Sequence, residues 1–177
     1  TRRRIIMILT VNDRDYLLDE RSITFSVLLR CHEIEEQIKD KEIDEITAID
    51  LYQFNEFIVE CFEKYNISID DLNQLSPTDV LSYTVQLIIE CKQIIPKVED
   101  KICSIGNKTE PDERPAVQSD YELLLRIISD LVGDSEDLNH VLKWSVMRYF
   151  DIVYYRCLEK KRGEPAPADL IDSILGI

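Results

Sequence analysis

Hydrophobic residues recur at helical spacing along most of the chain, and the pattern is clearest between Thr47 and Leu75. Apolar and aromatic side chains stand three and four residues apart there, so they share one face of a predicted helix. The members of this face are Leu51, Phe54, Ile58, Cys61, Phe62 and Tyr65, with Phe57 and Val59 beside them. A break at residues 65–67 follows, and Ser68 is expected to cap a short helix over residues 69–75. This segment predicts a two-helix docking unit without a catalytic group.

Elements of different kinds are predicted on both sides of this unit. Residues 5–11 and 15–20 are rich in β-formers and flank Asn12-Asp13-Arg14-Asp15, which predicts a β-hairpin. A helix is predicted over residues 23–39. Thr47 and Asp50 resemble a capping box for the aromatic helix. Ser76 and Pro77 begin another helix, which Pro96 is expected to break or kink near residue 95.

The composition changes at residues 104–118, which hold two prolines, a Gly-Asn pair and few apolar anchors. Beyond them, Ser119 and Glu122 form a capping box for a helix that Gly133 ends. Ser135 is expected to cap one long helix to about residue 162, and a short helix over 168–175 closes the chain. The predicted fold is mainly α: a hairpin and helical module over 1–103, a linker over 104–118, and a small helical module over 119–177.

The long helix predicted after Ser135 is unusual because apolar side chains surround it. These are Val146, Met147, Tyr149, Phe150, Ile152, Val153, Tyr154 and Tyr155, with Trp144 just upstream. A helix that is apolar on every side is either central in a core or part of an interface. The sequence leaves both alternatives open, and Arg148 and Arg156 suit the rim of an interface.

The charge of the chain disfavours two classes of partner. Its 21 basic and 35 acidic residues give a formal net charge of −14. A field of this sign repels phosphate backbones and anionic lipid, so we expect neither nucleic-acid nor membrane binding. No apolar run reaches the length of about 20 residues that a membrane span needs. A basic or hydrophobic protein is the partner class that this charge leaves open.

Catalytic or metal chemistry is not expected from the residue pattern. The five cysteines include no CxxC pair and the only two histidines are isolated, so we predict buried, reduced thiols in a cytosolic protein, without metal or cofactor. The densest carboxylates, at residues 33–36 and 70–71, lie on polar helix faces or at helix starts rather than in an apolar cleft. No Gly-rich phosphate loop, G-x-S-x-G or H-E-x-x-H motif occurs. We therefore expect a protein that is not an enzyme.

The order of the predicted elements resembles the tail assembly chaperones of long-tailed bacteriophages, the G and G–T type. The match covers about residues 1–103 and runs through RRRIIMILTVNDRDYLLDE, ITFSVLLRCHEIEEQI and DLYQFNEFIVECFEKYNISIDDLNQL. The turn glycine of many relatives is absent here. In that family a frameshift often adds a downstream segment, and a linker followed by a helical module is similar to that layout.

The resemblance implies a non-enzymatic chaperone that acts in the host cytoplasm and is absent from the finished virion. Several copies coat the tape-measure protein, and the C-terminal extension recruits tail-tube subunits. For tape-measure contact or self-association as a homo-oligomer, the expected residues are Leu51, Phe54, Phe57, Ile58 and Phe62. For the tail-tube side, the expected residues are Trp144, Tyr149, Phe150 and Tyr154. Each of these side chains is equally compatible with a place in the core.

A second function class fits the same pattern. A small acidic helical adaptor, or an inhibitor that acts by binding an enzyme, needs the same helices and the same charge. The position of the gene discriminates the two, because a chaperone gene is expected between those of a tail-tube protein and a long tape-measure protein.

Overall fold

The fold is mainly helical with an N-terminal hairpin, as the sequence predicted. The computed structural model describes residues 4–96, 119–133 and 137–162, with only the backbone described for residue 157 and residues 160–162. The chain divides into two compact units, Thr1–Lys92 and Gln93–Ile177. This division falls before the predicted boundary at residue 103, and the predicted linker over 104–118 lies outside the described residues.

The hairpin consists of β1 (Ile5–Val11) and β2 (Arg14–Asp19), which pair antiparallel. Its turn is tighter than the four residues predicted, because Asn12 and Asp13 alone connect the strands, with φ of 53° and 57°. A two-residue turn with two positive φ angles matches the twist of the strands, and Asn and Asp tolerate this conformation better than other side chains with a Cβ. Arg14 and Asp15 therefore belong to β2.

Side-chain caps begin the two helices that follow. In α1 (Phe25–Ile38), the Thr24 hydroxyl accepts a hydrogen bond from the Val27 N–H. In α2 (Ala48–Cys61), the predicted capping box is confirmed. The Thr47 hydroxyl accepts from the Asp50 N–H at 3.2 Å, and the Asp50 carboxylate accepts from the Thr47 N–H at 2.9 Å.

The break after α2 is a single 3₁₀ turn, Glu63–Tyr65, followed by Asn66 in the left-handed conformation with φ 53° and ψ 38°. Asparagine accepts this conformation without a glycine. Ser68 caps α3 (Ile69–Leu72), as predicted. This helix is shorter than the predicted range of 69–75, because the chain turns after Leu72 toward the start of the next helix.

The next helix, α4 (Pro77–Lys92), begins where Ser76 Oγ accepts from the Asp79 N–H at 3.1 Å. It ends at Lys92, and helical backbone resumes at residues 94–96. The break therefore comes slightly before the predicted position near residue 95. Pro96 has no N–H to donate to the carbonyl of Lys92, which lies four residues earlier.

Packing of the first unit centres on α2, which contacts α1, α3 and α4. Helices α1 and α4 also contact each other, and α4 contacts β1. The largest side chains with less than 2% exposure all come from this unit: Phe25, Phe54, Phe57, Phe62, Met7, Leu9, Leu18, Ile23, Ile34, Ile58, Leu72 and Leu87. Four phenylalanines thus anchor one core.

The second unit contains α5 (Asp120–Gly133), α6 (Leu138–Leu142) and α7 (Val146–Arg162) among its described residues. Ser119 Oγ accepts from the Glu122 N–H at 3.2 Å and caps α5. The prediction of one unbroken helix up to residue 162 is wrong, because a turn at residues 143–145 separates α6 from α7. Ser145 Oγ accepts from the Arg148 N–H at 3.4 Å, so it starts a new helix. The predicted cap at Ser135 and the helix over 168–175 lie outside the described residues.

Three cysteines, one each from α1, α2 and α4, lie together in the core of the first unit. Cys31, Cys61 and Cys91 are buried and free, as predicted. The Cys31 Sγ lies 4.0 Å from the carbonyl oxygen of Ile88. Its contact with the Cys91 thiol, together with burial, raises the pKa of Cys91, and burial raises the pKa of Cys61. Both thiols therefore stay protonated at neutral pH.

Alkylation is expected to spare these three cysteines in the folded chain, because the thiolate is the reactive form and the side chains are shielded. Iodoacetamide treatment followed by peptide mass spectrometry measures the modification of each cysteine separately. A Ser82→Cys variant supplies an exposed reference thiol on α4. In urea all the cysteines should react. Modification of Cys61 in the native chain as fast as that of the reference would contradict the burial described.

Candidate functional site

The residues predicted to contact the tape-measure protein lie mainly in the core. Phe54, Phe57, Ile58 and Phe62 are each 0% exposed, and Leu51 is half-buried. The sequence left two places open for these side chains, the core or a contact surface. The structure places these four in the core. In the described fold, none of the four is exposed to solvent.

The opposite face of α2 carries two large apolar side chains that are exposed to solvent. Ile49 is 71% exposed and Tyr52 is 51% exposed. They are three residues apart, so they are neighbours on the helix surface. Both lie off the stripe that contains Phe54. A helical projection of the sequence places Ile49 and Tyr52 on a different face from Phe54. Whether that face is exposed depends on what packs against α2, which the projection does not show.

The loop before α2 also exposes a large apolar side chain. It contains a 3₁₀ turn, Ile43–Glu45, whose first residue is 81% exposed. The surrounding carboxyl side chains are exposed as well; they belong to Asp40, Glu42, Asp44 and Glu45. This loop thus presents an isoleucine within an acidic stretch of chain.

A buried carboxylate holds this loop against both helices. Asp50, whose side chain is 4% exposed, accepts hydrogen bonds from the Lys41 ammonium at 2.9 and 2.8 Å and from the Gln37 side-chain amide. Its bond with the Thr47 N–H completes what we call the Asp50 cluster: Gln37, Lys41, Thr47 and Asp50. The Lys41 contact, followed by the Thr47 N–H, lowers the pKa of Asp50. The cluster ties the end of α1, the loop and the start of α2 together.

The predicted tail-tube residues are partly accessible. Phe150 is buried, at 7% exposure, whereas Trp144, Tyr149 and Tyr154 are half-buried. Each ring makes an edge contact with a neighbouring ring, with centroid distances of 5.8 Å for His140–Trp144, 5.3 Å for Tyr149–Phe150 and 5.8 Å for Tyr154–Tyr155. Three of the four predicted residues thus keep some accessible surface.

Other large apolar side chains are exposed singly or in pairs on both units. Those with the greatest exposure outside the α2 region are Ile5, Ile8, Leu17, Val85, Ile89, Leu125 and Leu138. Ile8 and Leu17 face each other across the hairpin, and Val85 and Ile89 lie one turn apart on α4. Val85 and Ile89 thus form an exposed apolar pair on a helix other than α2.

No helix in the described ranges is both long enough and apolar enough to cross a bilayer. Among the described residues, no group of three or more His, Cys, Asp or Glu side chains is arranged to hold a metal ion. Comparison with protein-family models, curated proteins and solved structures gave no match.

Proposed function

We propose that this chain is a non-enzymatic phage tail assembly chaperone that binds the tape-measure protein in the host cytoplasm. It helps to recruit tail-tube subunits and leaves before the virion is complete. The observation that carries the proposal is the exposure of large apolar side chains on a strongly acidic, mainly helical protein. The clearest examples are Ile43 at 81% and Ile49 at 71%. Such side chains contribute little to the chain's own fold and are available to a partner.

The net charge supports the same function. A charge of −14 keeps a protein soluble even when it exposes apolar surface, because like charges repel and oppose self-aggregation. A chaperone needs both properties, since it must present apolar groups to its client without precipitating. The order of a hairpin, a helix, an aromatic helix and a short capped helix also agrees with the resemblance given above.

The two units suit different partners. The first unit offers exposed apolar groups beside α2 and is assigned to the tape-measure protein or to self-association as a homo-oligomer. The second unit offers the half-buried Trp144, Tyr149 and Tyr154, and it is assigned to the tail-tube subunit. Tyrosine and tryptophan with partial exposure are typical of protein-binding surfaces, because one end of the ring is apolar and the other is polar.

Co-expression of the full chain with the tape-measure protein of the same phage is expected to move that protein from the insoluble to the soluble fraction. The chaperone covers apolar helix faces that otherwise aggregate. The measurement is the soluble fraction by gel densitometry, followed by co-purification through a tag on the chaperone. A chain of similar charge and size that is unrelated in sequence is the control for acidity alone.

Two results would contradict the proposal. One is a tape-measure protein that stays insoluble and forms no complex. The other is equal rescue by the unrelated acidic chain. If the gene lies far from those of tail-tube and tape-measure proteins, the adaptor or inhibitor function becomes the better one.

A further inference from the structure

We infer that Ile43, Ile49 and Tyr52 form a docking surface for an amphipathic helix of another protein, one whose apolar stripe is flanked by lysine or arginine. We call these three residues the isoleucine patch. The inference rests on the proposed function, since it assumes that the chain works by binding protein, and it adds the location of the site and the chemistry of the partner segment.

The exposure of the patch distinguishes it from ordinary surface. Single exposed apolar residues are common on soluble proteins and need no explanation. Ile43 and Ile49, at 81% and 71%, are the two most exposed large hydrophobic residues in the described ranges. Val85 and Ile89 on α4 reach only 40% and 51%. The patch therefore leaves much more apolar area in water than the other helical pair.

The Asp50 cluster ties the loop that carries Ile43 to the start of α2, which carries Ile49 and Tyr52. Lys41 Nζ contacts the Asp50 carboxylate at 2.8 Å. Ile43 is two residues from Lys41, and Ile49 is adjacent to Asp50, so the loop ends that carry them are held side by side. Tyr52 lies on the same outward face of α2 as Ile49. Ile49 lies six residues after Ile43, so the chain limits the distance between them to about 20–22 Å, which is within one ordinary interface.

The rim of the patch is acidic, and this decides the charge of the partner. Lys41 is held by Asp50 at 2.8 Å, and Lys39 is held by Glu36 at 2.5 Å. The two cations of the loop are thus already engaged. Four exposed carboxylates flank Ile43 in the sequence, on Asp40, Glu42, Asp44 and Glu45; those of Glu42 and Glu45 also cap the 3₁₀ turn and keep their charge. An apolar surface with such a rim favours a basic segment and repels an acidic one.

The acidic character continues along α2 away from Tyr52. Glu56 and Glu60 follow on the outward side, and both pair with Arg30 of α1, at 3.8 and 3.9 Å. Among the described residues, Arg30 is the only cation that forms an ion pair with Glu56 or Glu60. A partner with positive charge on both sides of its apolar stripe matches the loop rim, and one helix of about four turns covers the estimated span.

The test uses a fluorescent peptide of about 18 residues, with leucine at helical spacing and lysine on both flanks, titrated with the full chain in anisotropy measurements. A second peptide has glutamate in place of every lysine and keeps the leucines. The Ile43→Ser/Ile49→Ser variant is expected to bind the lysine peptide about tenfold more weakly or worse than the original chain. Because both side chains are exposed, this variant should fold normally, which circular dichroism checks.

Matched variants separate the patch from the overall charge. Val85→Ser/Ile89→Ser removes an exposed apolar pair of α4 and should leave the affinity unchanged. Asp40→Asn/Asp44→Asn should weaken binding by about fivefold, whereas Asp13→Asn/Asp70→Asn, which removes the same charge elsewhere, should have a much smaller effect. The glutamate peptide should bind at least about tenfold more weakly than the lysine peptide.

Several results would overturn the inference: no binding of the lysine peptide, equal binding by the patch variant and the α4 variant, or equal binding of both peptides. The co-expression test distinguishes these failures from failure of the proposed function. If the Ile43→Ser/Ile49→Ser variant still forms the tape-measure complex, the chaperone function is supported and the isoleucine patch is rejected as its binding site. If the lysine peptide binds the patch but the tape-measure protein does not bind the chain, the docking surface is supported and the chaperone function is rejected.

Discussion

Replacing Phe54 with alanine is expected to destabilise the first unit by about 3–5 kcal/mol, because the ring is fully buried and its removal leaves a cavity. Amide hydrogen exchange, measured by mass spectrometry on peptides of α1, α2 and α4, should accelerate by about two to four orders of magnitude. The neighbouring helices are included because α2 contacts both. This is the largest effect we expect from a single substitution.

The control is Tyr52→Ala, which removes an aromatic ring from the same helix on its exposed face. That variant should change the free energy of unfolding by no more than about 0.5 kcal/mol. The comparison also separates the two roles that the sequence left open for Phe54. A Phe54→Ala chain that folds as stably as the original and loses partner binding would assign the ring to a contact surface and contradict the core described here.

Replacing Asp50 with asparagine is expected to cost about 2 kcal/mol at neutral pH. The substitution removes the charge that Lys41 contacts and weakens the reciprocal cap on α2. The Lys41 side chain is 32% exposed, so water can solvate its ammonium group in the variant, which limits the loss of stability. The measurement is the free energy of unfolding from urea titration by circular dichroism. Asp44→Asn, which removes an exposed charge from the same loop, should stay within about 0.5 kcal/mol of the original.

The difference between the original chain and Asp50→Asn is expected to depend on pH. The pKa of Asp50 is lower in the folded chain than in the unfolded chain, where it is about 3.9. The ionised carboxylate therefore stabilises the fold fully above that value, and the contribution declines as the pH falls below it toward the folded pKa. The two chains should thus approach equal stability in acid. A difference that stays constant from pH 7 to about pH 3 would show that the charge of Asp50 is not responsible.

Local chemistry explains what was predictable from the sequence. The caps at Thr47, Ser68 and Ser119 depend on a side chain and a backbone N–H three residues later, so nearby residues suffice to predict them. The hairpin follows in the same way from β-formers around Asn12 and Asp13. These local signals, with the helical spacing of apolar residues, determined the fold class and most element boundaries.

Boundaries failed where two local signals competed. The sequence predicts one long helix to residue 162, since its apolar residues continue at helical spacing across residues 143–145. The structure has a turn there, with Ser145 capping α7. A serine can lie inside a helix or cap its N-terminus, and the spacing of apolar residues alone does not decide which of the two occurs.

The candidate site shows what only the tertiary structure decided. The sequence determined that α2 has an aromatic stripe, but the packing of α1, α3 and α4 decided that this stripe is core and that Ile49 and Tyr52 face solvent. The Lys41–Asp50 contact, which joins a loop to a helix nine residues away, also arises from that packing. A cap depends on neighbouring residues, so a local pattern reveals it. Burial depends on which distant surfaces meet, and local spacing along the chain does not reveal that.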